Sequence, residues 1–218
     1  HRCYFGEGGW CDSFYTSIHP EKGKYTFNDI INIYDQHPNI KEMMLTGGSP
    51  TLHPKLVNEL THFANRRNIQ ITIETEGSYF VETDYPISLI SISPKFNNSV
   101  PVVGTSTPSG KIVDESFITT HNRYRLNKEA IKKMIDYHDD YHMKVVVNPI
   151  ADPETWEEIK EFLDELNIPM EKTWIMPPGD TRHELIQVYP MVMQWCTDNY
   201  YNFTGREHII AFDVLREV

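Results

Sequence analysis

The chain has 218 residues, 39% apolar and 12% aromatic, which suits one compact domain with a full hydrophobic core and excludes a disordered tail or a fibrous repeat. Its formal charge of −11 and pI near 5.3 argue against a general affinity for nucleic-acid backbone, which draws on clustered Lys and Arg. No apolar run approaches the roughly 20 residues needed to span a bilayer, and three cysteines are too few for a secreted disulfide scaffold, so a cytoplasmic protein without membrane contact is the default expectation.

Hydrophobic periodicity predicts alternating helices and strands. Residues 25–36 carry Ile30, Ile31, Ile33 and Tyr34 at helical spacing, and residues 41–46 form a short apolar strand. A helix over 54–67 places Leu56, Val57, Leu60 and Phe63 on one side, and strands follow over 69–75 and 89–93, the latter ended by Pro94. Residues 97–110 are rich in Pro, Ser, Thr and Gly and read as a surface loop or insertion. A helix over 127–142 opens on Asn127 as N-cap, and a buried strand covers 143–147. Asp152 and Pro153 open a helix over 153–166, followed by a strand over 173–176. Residues 180–199 read as mostly helix with a kink at Pro190, and 208–215 as a last strand. No repeat or linker divides the chain, so residues 1–218 are expected to form a single domain.

Repeated βα units imply a parallel sheet with helices packed outside it, and such folds carry their chemistry at the carboxyl ends of the strands. Polar clusters fall at five such ends: 46–49, 74–78, 93–95, Asn148 and 176–180. Any one of them could be ordinary loop polarity; five together point to a site.

Cys3 and Cys11 are separated by a Gly-rich segment that could fold back and bring both sulfurs to one metal cluster. Two ligands are too few, so a further Cys is expected before His1, whose place at the start reads as a truncation. The bland reading is two idle thiols; a zinc site using His1 or His19 is a third, against which the eight-residue separation argues. Cys196, on a helix, reads as core, and His53, His62, His138 and His142 as packing or surface residues of helices. Gly47-Gly48 at a strand end frees backbone to approach a ligand. Glu74 could accept from ribose hydroxyls or an amino group, and Ser93-Pro94-Lys95 offers a hydroxyl and a cation at a rigid turn.

The ordered set Cys3…Trp10-Cys11-Asp12-Ser13, Thr46-Gly47-Gly48-Ser49-Pro50, Glu74-Thr75-Glu76-Gly77-Ser78 and Ser93-Pro94-Lys95 resembles the 7-carboxy-7-deazaguanine synthases, radical S-adenosylmethionine (SAM) enzymes of queuosine-type biosynthesis. The resemblance runs from Cys3 to at least Gly179. It implies an α/β fold, an incomplete (βα)6-type TIM-like barrel with a [4Fe–4S] cluster at its mouth. SAM would bind beside the cluster, and a 5′-deoxyadenosyl radical would act on 6-carboxy-5,6,7,8-tetrahydropterin to give 7-carboxy-7-deazaguanine with loss of ammonia.

Carried over residue by residue, Cys3 and Cys11 resemble cluster ligands and Ser13 the hydroxyl that coordinates Mg²⁺. Thr46 would touch substrate and Gly48 with Ser49 the methionyl end of SAM. Glu74, Ser93, Pro94, Lys95 and the Met176, Pro177, Pro178, Gly179 strand end would line the SAM site. The chain departs from the pattern in the long gap between its two thiols and in a Gly-Gly-Ser where most radical SAM proteins have Gly-Gly-Glu, which removes the usual acidic contact to the SAM amino group. The resemblance also implies a flavodoxin-like electron donor, a homodimer and no direct nucleic-acid contact. Another radical SAM enzyme, such as a glycyl-radical activase, would share the cluster but not the Ser13 and Ser93-Pro94-Lys95 pattern. A non-catalytic metal-binding barrel domain would need neither.

Overall fold

A computed structural model describes residues 3, 4, 9–11 and 23–213. Its elements in chain order are α1 (Phe27–Gln36), β1 (Glu42–Leu45), α2 (Pro54–Arg67), β2 (Gln70–Thr75), β3 (Leu89–Ile92), α3 (Glu115–Tyr124), α4 (Lys128–Tyr137), β4 (Tyr141–Val146), α5 (Pro153–Glu165), β5 (Thr173–Met176), α6 (Arg182–Asn199), β6 (Asn202–Phe203) and α7 (Glu207–Phe212). The six strands form one parallel sheet in the order β1-β2-β3-β4-β5-β6, so chain order and spatial order coincide. With helices against one face, this is the expected incomplete (βα)6-type barrel.

Strand alternation gives the sheet two chemically distinct faces. Ile71, Ile73, Ile90, Ile92, Met143, Val145 and Ile175 are buried against Val57, Leu60 and Phe63 of α2, Ile131 and Met134 of α4, Ile159 and Phe162 of α5, and Val192 and Cys196 of α6. The alternate positions include Met44, Thr72, Glu74, His142, Lys144 and Trp174, all at least partly exposed. The registers Glu74 to Ser91 and Ser91 to His142 put these alternate residues on one inner face.

The helix starts follow their caps. Thr26 and Thr181 each close a capping box, with Asp29 and Glu184 respectively. The side chains of Asp114, Asn127 and Asp152 accept from the first turns of α3, α4 and α5. Pro190 lies within α6, which runs unbroken to Asn199.

Three expectations are corrected. The helix expected over 127–142 ends at Tyr137, where His138 turns extended, and Tyr141 and His142 instead pair with Ile90 and Ser91. Sheet pairing outweighs the helical spacing there. Residues 208–215 were expected as a strand, but their described part lies in α7, with Ile209 buried and Arg182 donating to the Ile210 and Ala211 carbonyls; residues 214 and 215 lie outside the described residues. The last strand is the two-residue β6, paired with Trp174 and Ile175. The expected loop over 97–110 contains a 3₁₀ turn, Asn97–Ser99, and an antiparallel bridge from Ser106 to Ile112, and it leads into α3, which periodicity missed.

Gly77, in the turn after β2, has φ +83°, and a Cβ there would lie 2.7 Å from Cγ1 of Ile131 and 3.1 Å from Cγ2 of Ile92. Gly77→Ala is therefore expected to lower stability by about 1–3 kcal/mol. The measurement is a urea midpoint at unchanged m-value; a wild-type midpoint would show that the turn relaxes at no cost.

Candidate active site at the carboxyl edge of the sheet

Because every strand runs the same way, the turns after β1, β2, β3, β4 and β5 emerge at one edge. The turn after β1 needs two left-handed residues in succession, Gly47 at φ +86° and Gly48 at φ +54°, which glycine adopts without strain. It delivers Thr46 and Ser49 to the end of β2. Thr46 Oγ1 donates to Glu74 Oε2 at 2.6 Å, and Ser49 Oγ donates to Glu76 Oε1 at 2.9 Å. Lys144 Nζ reaches the other oxygen of Glu74 from β4.

Burial pushes the Glu74 carboxyl up, but the Lys144 and Thr46 hydrogen bonds together with the Lys144 charge outweigh it, and the group sits below its ordinary pKa. Glu76 is buried at 8% exposure.

The next turn is tied to α3 and α5. Lys95 N donates to the Arg125 carbonyl, and Arg125 Nη1 returns a bond to the Lys95 carbonyl. Arg125 also pairs with Glu158 at 2.9 Å, which in turn accepts from Asn97 N. Ser93 Oγ donates to the Lys144 carbonyl, and Pro94 is buried.

Cys3 and Cys11 sit against this same edge. Tyr4 and Trp10 form an antiparallel bridge and Cys11 N donates to the Cys3 carbonyl at 3.0 Å, so Cys3 and Cys11 face each other across a two-stranded pair. The pair is anchored by Tyr4 N to the Ser99 carbonyl, by Trp10 Nε1 to the Ser106 carbonyl at 2.9 Å, and by the edge of Trp10 on Phe117 of α3. A Cβ on Gly9 would lie 3.4 Å from Asp180 Oδ2, which places the pair beside the turn after β5 as well. Cys3 is 1% exposed, and burial drives its thiol up to about 12, with Lys95 pulling it down and Cys11 and Glu76 pushing it further up.

Among the described residues no three His, Cys, Asp or Glu side chains gather into a metal site. Two facing thiols beside the Lys95 cation nonetheless fit two sulfur ligands of one cluster, since soft thiolates are what iron–sulfur centres take.

The chain is 31% identical over 218 residues to a 7-carboxy-7-deazaguanine synthase of Halobacterium salinarum, covering 97% of this chain and 79% of that protein. The chain belongs to the 7-carboxy-7-deazaguanine synthase family. A second member, from Rhodopirellula baltica, is 26% identical over 211 residues, covering 97% of this chain and 74% of that one. The crystal structure of QueE from Escherichia coli superposes with a TM-score of 0.50 at 16% identity, over 84% of this chain and 64% of QueE, a likeness of fold. No family profile matches the chain.

Of the residues expected from the resemblance to 7-carboxy-7-deazaguanine synthases, the fold brings Cys3, Cys11, Thr46, Gly48, Ser49, Glu74, Ser93, Pro94 and Lys95 to one edge. Met176 ends β5 and Pro177, Pro178 and Gly179 follow it at that edge, where the Met176 carbonyl accepts from Val147 and that of Gly179 from Arg206. Ser13, the expected Mg²⁺ ligand, lies outside the described residues, as do His1 and His19. His142 is on β4 rather than a helix. Cys196 is core, as expected, with its thiol pushed up to about 11 by burial.

Sequence reasoning gave no role to Glu76 or Lys144. Glu76 stands in the Glu74-Thr75-Glu76-Gly77-Ser78 segment and could have been suspected from the missing acid after Gly48; Lys144, inside an apolar strand, had only its charge as a signal. A surface groove of about 430 Å³ is lined by Ile150 of the turn after β4 and by Pro190, Met191 and Trp195 of α6.

In the folded, metal-free protein at pH 8, a Cys at pKa about 12 is a thiolate in only about one molecule in ten thousand. Iodoacetamide is expected to label the partly exposed Cys11 first, with Cys3 and Cys196 reacting after denaturation. Peptide mass spectrometry over a time course checks the order; Cys3 labelling as fast as Cys11 would remove it from its buried place.

Proposed function

We propose that this chain converts 6-carboxy-5,6,7,8-tetrahydropterin to 7-carboxy-7-deazaguanine with loss of ammonia, as a radical SAM lyase. Membership of the 7-carboxy-7-deazaguanine synthase family carries the reaction, and one observation ties it to these residues: Cys3 and Cys11 stand at the sheet edge that carries Ser49, Glu74, Glu76 and Lys95. A [4Fe–4S] cluster held in part by Cys3 and Cys11 would supply, when bound, the electron for reductive cleavage of SAM.

The chain's own residues bind and orient. Cys3 and Cys11 supply thiolates, and Lys95 offsets part of the cost of charge on the buried Cys3. Glu76, held by Ser49, offers a carboxylate for the methionyl ammonium where the Gly-Gly-Ser turn carries none of its own. Glu74 accepts from the ribose hydroxyls. Thr46 already donates a hydroxyl to Glu74, so a sugar hydroxyl would take that place and release Thr46 toward substrate. Ser93, Pro94 and the 176–179 segment would line the same SAM site. Mg²⁺ on Ser13, a flavodoxin-like electron donor and a homodimer belong to this reading through the family resemblance.

Anaerobically reconstituted full-length protein given SAM, reductant, Mg²⁺ and the carboxytetrahydropterin is expected to form 5′-deoxyadenosine and 7-carboxy-7-deazaguanine together. Deoxyadenosine without the deazaguanine would sink the substrate assignment and leave a radical SAM enzyme of another specificity. Cys11→Ala is expected to abolish both products, and activity retained in that variant would remove Cys11 from the cluster.

A further inference from the structure

Glu74 and Lys144 lie on strands two apart in the sheet, with β3 between them, and their side chains meet on the inner face. The two oxygens of Glu74 have different company. Oε1 accepts from Lys144 Nζ, whose side chain is 18% exposed, against 33% for Glu74; Oε2 accepts from Thr46 Oγ1 at the mouth. The position of Lys144 is over-determined: its backbone pairs with Trp174 on β5 and its carbonyl accepts from Ser93 Oγ at 2.8 Å. The cation is therefore built into the sheet, whereas the hydroxyl on Oε2 comes from a turn.

We propose that Lys144 is a positioning residue for the nucleoside end of SAM, holding Oε1 so that Glu74 stays an ionised acceptor with Oε2 presented to the sugar hydroxyls. This rests on the reading of Glu74 as the ribose contact. An ionised carboxylate can accept from two hydroxyls, while a protonated one gives up part of that capacity. The groups facing Glu74 are Thr46 from the turn after β1, Ser91 of β3 and Ser93 just after it, His142 and Lys144 of β4, and Glu76 just past the end of its own strand. His142 is held below its ordinary pKa by burial and then by the Lys144 charge, so it is mostly neutral at pH 7. Lys144 is thus the charged group in direct contact with Glu74, acting with the Thr46 hydrogen bond to keep it ionised. Ser91, paired with Glu74 in the sheet, is 2% exposed, and its hydroxyl makes no hydrogen bond among the described residues, so it does not substitute for the lysine.

A bridge that merely stapled the strands together would affect stability and nothing else. The test is the affinity of reconstituted full-length protein for SAM, by equilibrium dialysis from pH 8 down to pH 5. Lys144→Met is expected to bind about tenfold more weakly at pH 7.5, the order expected for loss of a charge-assisted hydrogen bond. Without the cation the Glu74 pKa rises, so binding is lost at a higher pH on acidification than in the wild type. Lys144→Arg should restore both affinity and pH profile. Lys144→Gln keeps a donor without the charge, which serves if the Met variant does not fold, and should retain the displaced profile. In a Glu74→Gln background, Lys144→Met should add little further loss. Lysine variants with a lowered unfolding midpoint but wild-type affinity and pH profile would overturn the positioning role while leaving the SAM site intact. Failure of the wild type to bind SAM would overturn the underlying reading and this inference with it.

Discussion

Parallel strands cannot be joined by tight hairpins, so each must be followed by a crossover that returns the chain to the same starting edge. Six strands in consecutive order therefore send their carboxyl-end turns to one side. The crossovers carry the apolar surface and pack it against one face, in the cluster that includes Ile73, Ile92, Met143 and Ile175. The opposite face carries Thr72, Glu74, His142 and Lys144 beside Met44 and Trp174, and the polar clusters gather at the carboxyl edge. Thr46, Glu74 and Lys144, almost a hundred residues apart in sequence at their extremes, meet because their strands share a direction and a register.

Electrostatics at that edge follows from partial burial. Glu74, Glu76, Lys144 and Cys3 are all shielded enough that isolated charge would be costly, and each has a named counterpart. Glu74 remains ionised because hydrogen bonds and a cation outweigh its desolvation, whereas for Cys3 desolvation dominates over Lys95 and the thiol stays protonated. The same environment thus keeps one carboxyl ionised and one thiol protonated. The segment 97–113 joins this arrangement from outside the sheet, with Ser99, Ser106 and nearby Phe117 of α3 gripping the Tyr4–Trp10 pair.

Much of the fold was legible where one period dominated. Asp152 with Pro153 marked the start of α5, and the residues of β5 were bounded to the residue. The failures lie where local pattern and sheet pairing disagree. Residues 138–142 continue a helical spacing yet Tyr141 and His142 complete a ladder with β3, and the two residues of β6 are too few to show alternation at all. In the site, Thr46, Ser49, Glu74 and Lys95 stood out by type and by place after an apolar run. Lys144 did not, because its role comes from a partner on a strand that the sequence does not put beside it.

The amino-acid sequence by itself determined the α/β class, the βα alternation, the caps and the ordered motifs that mark a 7-carboxy-7-deazaguanine synthase, since these rest on spacing and residue type within short windows. Only the tertiary structure decided that Glu76 stands against Ser49, that Lys144 spans β3 to reach Glu74, and that Cys3 and Cys11 face each other beside Lys95. Those contacts depend on which strands are neighbours and in what register. Register in a parallel sheet is set by the packing of the whole outer face, so no short stretch of chain contains it.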